Sequence, residues 1–419
     1  MNRLKTIIID RFPALASRDY RLFVIGQLIS VIGTWMQATA LPYLAYRISG
    51  RPLDLGLIGV ANTLPTLLFA LPAGVLVERW DKRKTVIIFQ AIMSMQAFGL
   101  AFLAYTGHIQ IWQIVALAFF YGSAVAIEVT ARQAMLIELA GREALPSAIA
   151  LQTTAFNLGR VIGPLGAAWL IAWTGSEGSV FLANGISFIF VIIGLFMAHT
   201  NFKVAKETGG ERNLRHEFRQ GLAYIRNQNA VASVILLAAL VGFFGIPLVQ
   251  QLPAFARDVL RTTLDTEAII ANRTSNLYAA QGLGAVIAAF LAAYFSSADK
   301  SKMLVTGQVV FILPIIALGF ARHLNIALFL LMFIGLGTVI QLVTMNTMIQ
   351  VNVPNELRGR VFSIYFWALQ GVAPFGSFVI GWMAQTWSVP LTISVGGITC
   401  LLGIVVIRLT FRDVVKSSG

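Results

Sequence analysis

The chain has 419 residues, of which 57% are hydrophobic and only 12% charged, about half the charged fraction of an ordinary soluble domain. That balance excludes a water-soluble enzyme and a disordered chain, which needs low hydrophobicity and high charge. A single cysteine, Cys400, and four histidines exclude a disulfide framework and a zinc centre, while the formal net charge of +13 has to be judged by where the basic residues lie.

Met1 to Arg21 is basic, shows no cleavable signal pattern, and reads as a short amphipathic helix broken near Pro13, or as an unstructured leader, on the membrane surface. Twelve apolar stretches follow, at 22–46, 55–77, 85–105, 111–131, 148–173, 178–199, 231–256, 274–295, 303–321, 325–351, 361–384 and 390–407. Most approach or exceed the roughly 20 residues a spanning helix needs, and none alternates with period two, so a barrel is disfavoured. The longest polar stretch, 201–229, divides the spans six and six. The expected fold is therefore an all-α membrane protein of twelve transmembrane helices in two pseudo-symmetric six-helix bundles. Its expected parts are a leader at 1–21, bundles at 22–199 and 231–411, a linker at 200–230 and a tail at 412–419. The halves echo each other: Leu136 to Leu145 leads into a helix with Gly163-Pro164, and Met348 to Leu357 into one with Pro374-Phe375-Gly376.

Of the 31 Lys and Arg residues, 24 fall on the side that holds both termini, six on the other and one, Arg160, inside a span. The positive-inside bias then puts both termini in the cytoplasm. The basic charge is a topology signal, and binding of nucleic acid, which needs a clustered basic face, is not expected.

Arg160 is the deep charge, about 18 Å into the fifth span at 1.5 Å per residue. A central arginine costs roughly 2.5–3.5 kcal/mol on insertion scales and so faces a partner or a cavity. Either it is tied to carbonyls or to Asn157, or its guanidinium fork meets an anionic or polar cargo group. Glu128 lies about 5 Å from the inner end of the fourth span, at its sequence-defined boundary, placed to meet Arg79, Lys82 or its i+4 neighbour Arg132, or to carry a proton. The first span has a polar face of Gln27, Ser30, Thr34 and Gln37 with Trp35 beside it, and the tenth has Gln341, Thr344, Met345 and Met348. Each such residue is either a path contact or an interhelical hydrogen bond. The seventh span carries Phe243, Phe244 and Gln251 around an expected break at Pro247.

The loop Gly74-Val75-Leu76-Val77-Glu78-Arg79-Trp80-Asp81-Lys82-Arg83-Lys84 resembles the signature loop of the major facilitator superfamily, with Glu78 in place of Asp and Asp81 in place of the second Gly. Read from the residues alone, it is positive-inside punctuation or an inner latch. A degenerate counterpart stands at Ser296 to Lys302. Arg132-Gln133-Ala134 with Glu138, Ala155 to Pro164, Asn184 to Phe188 and Pro354 to Arg360 are similar to the branch that includes macrolide-efflux proteins and the enterobactin exporter. Gly159, Gly163-Pro164, Gly166, Ala167 and Ala168 resemble the antiporter motif, which implies a bendable fifth helix; ordinary tight packing is the other reading.

The resemblance implies a monomeric, multi-pass transporter of the bacterial inner membrane, working by alternating access and without a cofactor beyond a proton gradient. It implies a cytoplasmic gate at Gly74, Glu78, Arg79, Arg83, Glu128 and Arg132 and a hinge at Gly159, Gly163 and Pro164. The superfamily's cavity helices, the first, fourth, seventh and tenth, place Gln27, Ser30, Thr34, Gln37, Tyr121, Gln251, Gln341 and Met345 along the path of a small-molecule cargo, and Arg160 and Asn157 of the fifth span are expected to join them. The expected function is proton-linked efflux of an amphipathic drug or siderophore-like molecule; import or lipid flipping by the same fold, or a non-transporting scaffold, are the alternatives. No catalytic or metal-binding residues are expected, and the bilayer is the expected partner.

Overall fold

The apolar runs fold as helices bounded by polar caps and glycines. In the computed structural model, which describes residues 11–200, 214–295 and 298–411, the side chains of 70, 71, 74–76, 78, 79, 214–217 and 293 stand outside the description. A short turn of 3₁₀ helix, Pro13–Ala16, precedes the first long helix. Then come α1 (Arg18–Ser49), α2 (Pro52–Arg79), α3 (Lys82–Tyr105), α4 (Ile111–Ala140), α5 (Leu145–Thr174) and α6 (Gly178–Phe196). After the amphipathic α7 (Leu214–Arg226) come α8 (Asn229–Leu240), a π-turn at Val241–Gly245, α9 (Ile246–Gln250) and α10 (Leu252–Asp258). The chain continues as α11 (Glu267–Tyr294), α12 (Lys300–Leu318), α13 (Leu324–Asn352), α14 (Asn355–Gln370), α15 (Ala373–Thr386) and α16 (Val389–Thr410).

Among the described residues, twelve helical stretches are long and apolar enough to cross a membrane. Their bounds differ from the sequence expectation in ways that matter. α4 runs to Ala140, nine residues past the apolar run, because Arg132 and Glu138 find partners described below. Glu128 is therefore 12 residues from the helix end, about 18 Å at 1.5 Å per residue, rather than one turn in. The seventh span does not break at Pro247 as expected but runs from Asn229 to Gln250 through the π-turn, whereas the eleventh breaks between Gln370 and Ala373, just before Pro374.

The loop after α2 turns on Asp81, whose carboxylate accepts the Lys84 N–H at 3.0 Å and caps α3. Asp299 does the same for α12, accepting from Ser301 and Lys302. An acid at a helix N-terminus satisfies free N–H groups and meets the positive end of the dipole. Gly141 and Gly175, at φ +84° and +72°, end α4 and α5 in a backbone region that side chains avoid.

By contacts the chain divides into two units, 1–44 with 65–208 and 45–64 with 209–419. In the first, α3 packs on α4 and α6, over a core that includes Tyr20, Phe23, Met135, Leu136 and Leu195. In the second, α12 packs likewise on α13 and α16, over a core that includes Phe255, Phe311, Met345 and Ile349. The third span and the ninth thus pair with the same relative neighbours, which is the internal repeat in physical form.

Candidate functional site

Arg160 sits midway along α5. Its guanidinium carbon stands 5.6 Å from the centre of the Trp35 ring, within cation–π range, and Phe156 packs edge-on to the same ring at 5.3 Å. The Arg160 Nε is buried and has no hydrogen-bond partner among the described residues. The Asn157 amide donates to the Thr153 carbonyl of its own helix at 3.0 Å. Pro164 has no N–H to give the Arg160 carbonyl, so that acceptor is also released from the helix ladder.

Glycine brings Trp35 under the arginine. A Cβ at Gly163 would lie 2.4 Å from Trp35 Cβ, and one at Gly159 would lie 2.7 Å from Val31 Cγ1, so α1 and α5 approach closely only because both positions are bare. α5 itself remains one continuous helix through Pro164.

The polar face of α1 splits into two kinds of residue. Gln37 is occupied: it donates to Gln96 Oε1 at 3.2 Å and accepts from Asn184 Nδ2 at 2.9 Å, while Ser187 bonds Asn184 in turn. This buried network ties α1, α3 and α6. Thr34 lies beside Tyr121 of α4, Ser30 is buried, and Gln27 keeps a buried Oε1 without a partner among the described residues. Gln96 and Asn184 escaped the site expectation because a glutamine or asparagine in an apolar run looks the same whether it faces cargo or another amide.

Glu128 is buried in the middle part of α4. It accepts from Arg132 Nε at 3.0 Å and from Gln90 Nε2 at 2.9 Å. Lys82 pairs with Glu138 instead, and Arg83 donates to the Phe196 carbonyl at 3.0 Å. Gly74, Glu78 and Arg79 lie on α2, but their side chains fall outside the described residues.

In the second unit Gln341 and Met345 are fully buried on α13, and neither amide atom of Gln341 has a partner among the described residues. Gln251 reaches the Pro52 carbonyl at 3.4 Å. Arg408, in the last turn of α16, donates to Gln308 Oε1 inside the bundle at 2.7 Å. Among the described residues no group of His, Cys, Asp or Glu is placed to hold a metal ion.

The chain is 23% identical to the multidrug efflux pump Tap of Mycolicibacterium fortuitum, over 87% of this chain and 88% of that protein. It is also 23% identical to the enterobactin exporter of Shigella boydii serotype 18, over 91% and 89%. A crystal structure of a bacterial homologue of the human lysosomal transporter Spinster shares the fold, with TM-score 0.71 at 15% identity over 95% of this chain and 97% of that one. Residues 10–417 match the family model described as transmembrane secretion effector, and with twelve apolar helices and this repeat the chain belongs to that family, a membrane transporter of the major facilitator superfamily and not an enzyme.

Proposed function

We propose that the protein is a proton-linked secondary exporter of an amphipathic drug or siderophore-like molecule, monomeric in a bacterial inner membrane with both termini in the cytoplasm. The observation that carries this reading is Arg160: a guanidinium laid on an indole, with a buried N–H left unpaired. A charge is kept at such depth, at roughly 2.5–3.5 kcal/mol, where it is used. The fork donates to carboxylate or catecholate oxygens, and Trp35 with Phe156 supplies flat apolar contact. The similarity to a drug pump and a siderophore exporter supports the same class of cargo, and the 24-to-6 division of basic residues supports the orientation.

Binding of a catecholate siderophore and of a macrolide to purified protein and to Arg160→Ala tests the reading. A catecholate affinity reduced at least about tenfold, equivalent to about 1.4 kcal/mol, is expected, with the macrolide little changed. Equal catecholate affinity in both proteins contradicts it.

A further inference from the structure

Two carboxylates stand between the seventh and eighth spans, and their settings differ. Asp265 pairs with Arg273 and accepts the Thr262 N–H and hydroxyl; these bonds, that of the Thr262 backbone first, hold it below the usual aspartate value. Asp258, the last residue of α10, accepts one hydrogen bond, from the Tyr46 hydroxyl to its Oδ2 at 2.5 Å. Tyr46 is buried in the last turns of α1. A cavity of about 500 Å³ lies beside them, lined by Tyr46, Gly50, Asp258, Arg322, Gln385 and Ser388 among others, and through it Asp258 is open to water. The packed wall around Asp258 nonetheless pushes its carboxyl above the ordinary aspartate value, against the pull of Tyr46 and Arg257.

The charges around this carboxylate are otherwise engaged. Arg257 donates to both oxygens of Glu267, at 2.6 and 3.0 Å. Arg322 gives its Nη1 to the Gly319 and Ala321 carbonyls. On the hairpin side, Arg51 stands 4.0 Å from Asp54.

Tyr46 belongs to the hairpin 45–64, which joins the second unit through a face that lacks full polar pairing. A Cβ at Gly56 would lie 2.5 Å from the Ser377 carbonyl, and one at Gly59 would lie 2.0 Å from Gln250 Oε1. Gln250 Oε1, Gln251 Oε1 and Ser377 Oγ are all buried here without partners among the described residues. Each such atom forgoes a bond that water restores on separation. The hairpin is thus closely fitted and weakly bonded, with Tyr46 to Asp258 as its clasp.

We propose that Asp258 is a proton-binding site and that its occupancy sets how firmly the hairpin 45–64 is held. This rests on the orientation proposed above, which turns the cavity toward the outer, acidic side. A proton from cavity water adds to Oδ1, the oxygen that Tyr46 leaves free, and converts carboxylate to carboxyl. The neutral group is less costly against the packed wall. The Tyr46 bond favours the ionised form, so the clasp is firm while Asp258 is a carboxylate and loosens as pH falls through its titration.

Spin labels at Arg51→Cys and Gln385→Cys, on the full chain in lipid nanodiscs, read the gap across the cavity by pulsed electron resonance between about pH 4 and about pH 9. In the otherwise wild-type protein the short distance is expected to dominate at high pH and to give way to a longer one in acid, with a midpoint above about 4, the free aspartate value. Asp258→Asn is expected to abolish the titration. Tyr46→Phe removes the bond that favours the ionised form, so its gap is expected to stay long and to lose its pH dependence. A titration retained in Asp258→Asn, a pH-independent gap in the parent, a short distance that dominates in acid, or a gap that still titrates in Tyr46→Phe overturns the proposal. Failure of a pH gradient to drive cargo would remove proton-linked export and leave this titration standing, so the two readings fail separately.

Discussion

Arg160 is costly where it stands. Its cation–π contact with Trp35 returns on the order of 2 kcal/mol when desolvated, less than the roughly 2.5–3.5 kcal/mol of placing the charge there. Arg160→Leu is therefore expected to keep or raise the melting temperature while abolishing catecholate binding. A large loss of stability would make the residue a strut. Glu128 behaves oppositely. Gln90 and Arg132 both donate to it in a buried setting, and leaving a buried charge unpaired costs about 3–5 kcal/mol. Glu128→Gln is expected to lower the melting temperature, and adding Arg132→Met to recover part of the loss. Recovery of nothing would contradict the pairing as the cause.

At the scale of the helix, proline and glycine work together. Pro247 has no N–H for the Phe243 carbonyl, and the helix passes it through the π-turn 241–245 without interruption; at Pro374 the helix stops at Gln370 and restarts at Ala373. The π-turn and this break meet. A Cβ at Gly376 would lie 2.1 Å from the Phe243 carbonyl oxygen, and one at Gly242 would lie 1.9 Å from that of Leu369. Each helix offers a bare glycine to a carbonyl of the other. Gly376→Ala is expected to destabilise the protein by about 1–3 kcal/mol, read as a lower melting temperature, whereas alanine at Gly359, with open space around it, should act only through helix propensity. An unchanged melting temperature for Gly376→Ala contradicts the joint. The prolines and glycines were visible in the sequence, and so was the existence of each span. Their pairing was not, because nothing local records which face of one helix meets another. Gln37 makes the same point: its spacing marked a polar face, but the bond to Asn184 is a matter of tertiary contact. The length of α4 was hidden for a related reason, since polar residues that pair extend a helix beyond its apolar run.

For the molecule as a whole, the repeat is carried by small features. Asp81 before Lys82-Arg83-Lys84 and Asp299 before Lys300-Ser301-Lys302 cap the third and ninth spans alike. The twelve apolar helices among the described residues, the family and the transporter class agree; the proposed direction rests on the placement of charge and the proposed cargo on Arg160. Proteoliposomes of known protein orientation, given an imposed pH gradient and a catecholate siderophore, test them together. The account predicts movement from the face that carries the chain termini to the opposite face, abolished by collapsing the gradient and by Arg160→Ala. Movement in the reverse direction, or equal rates with and without the gradient and the arginine, would contradict it.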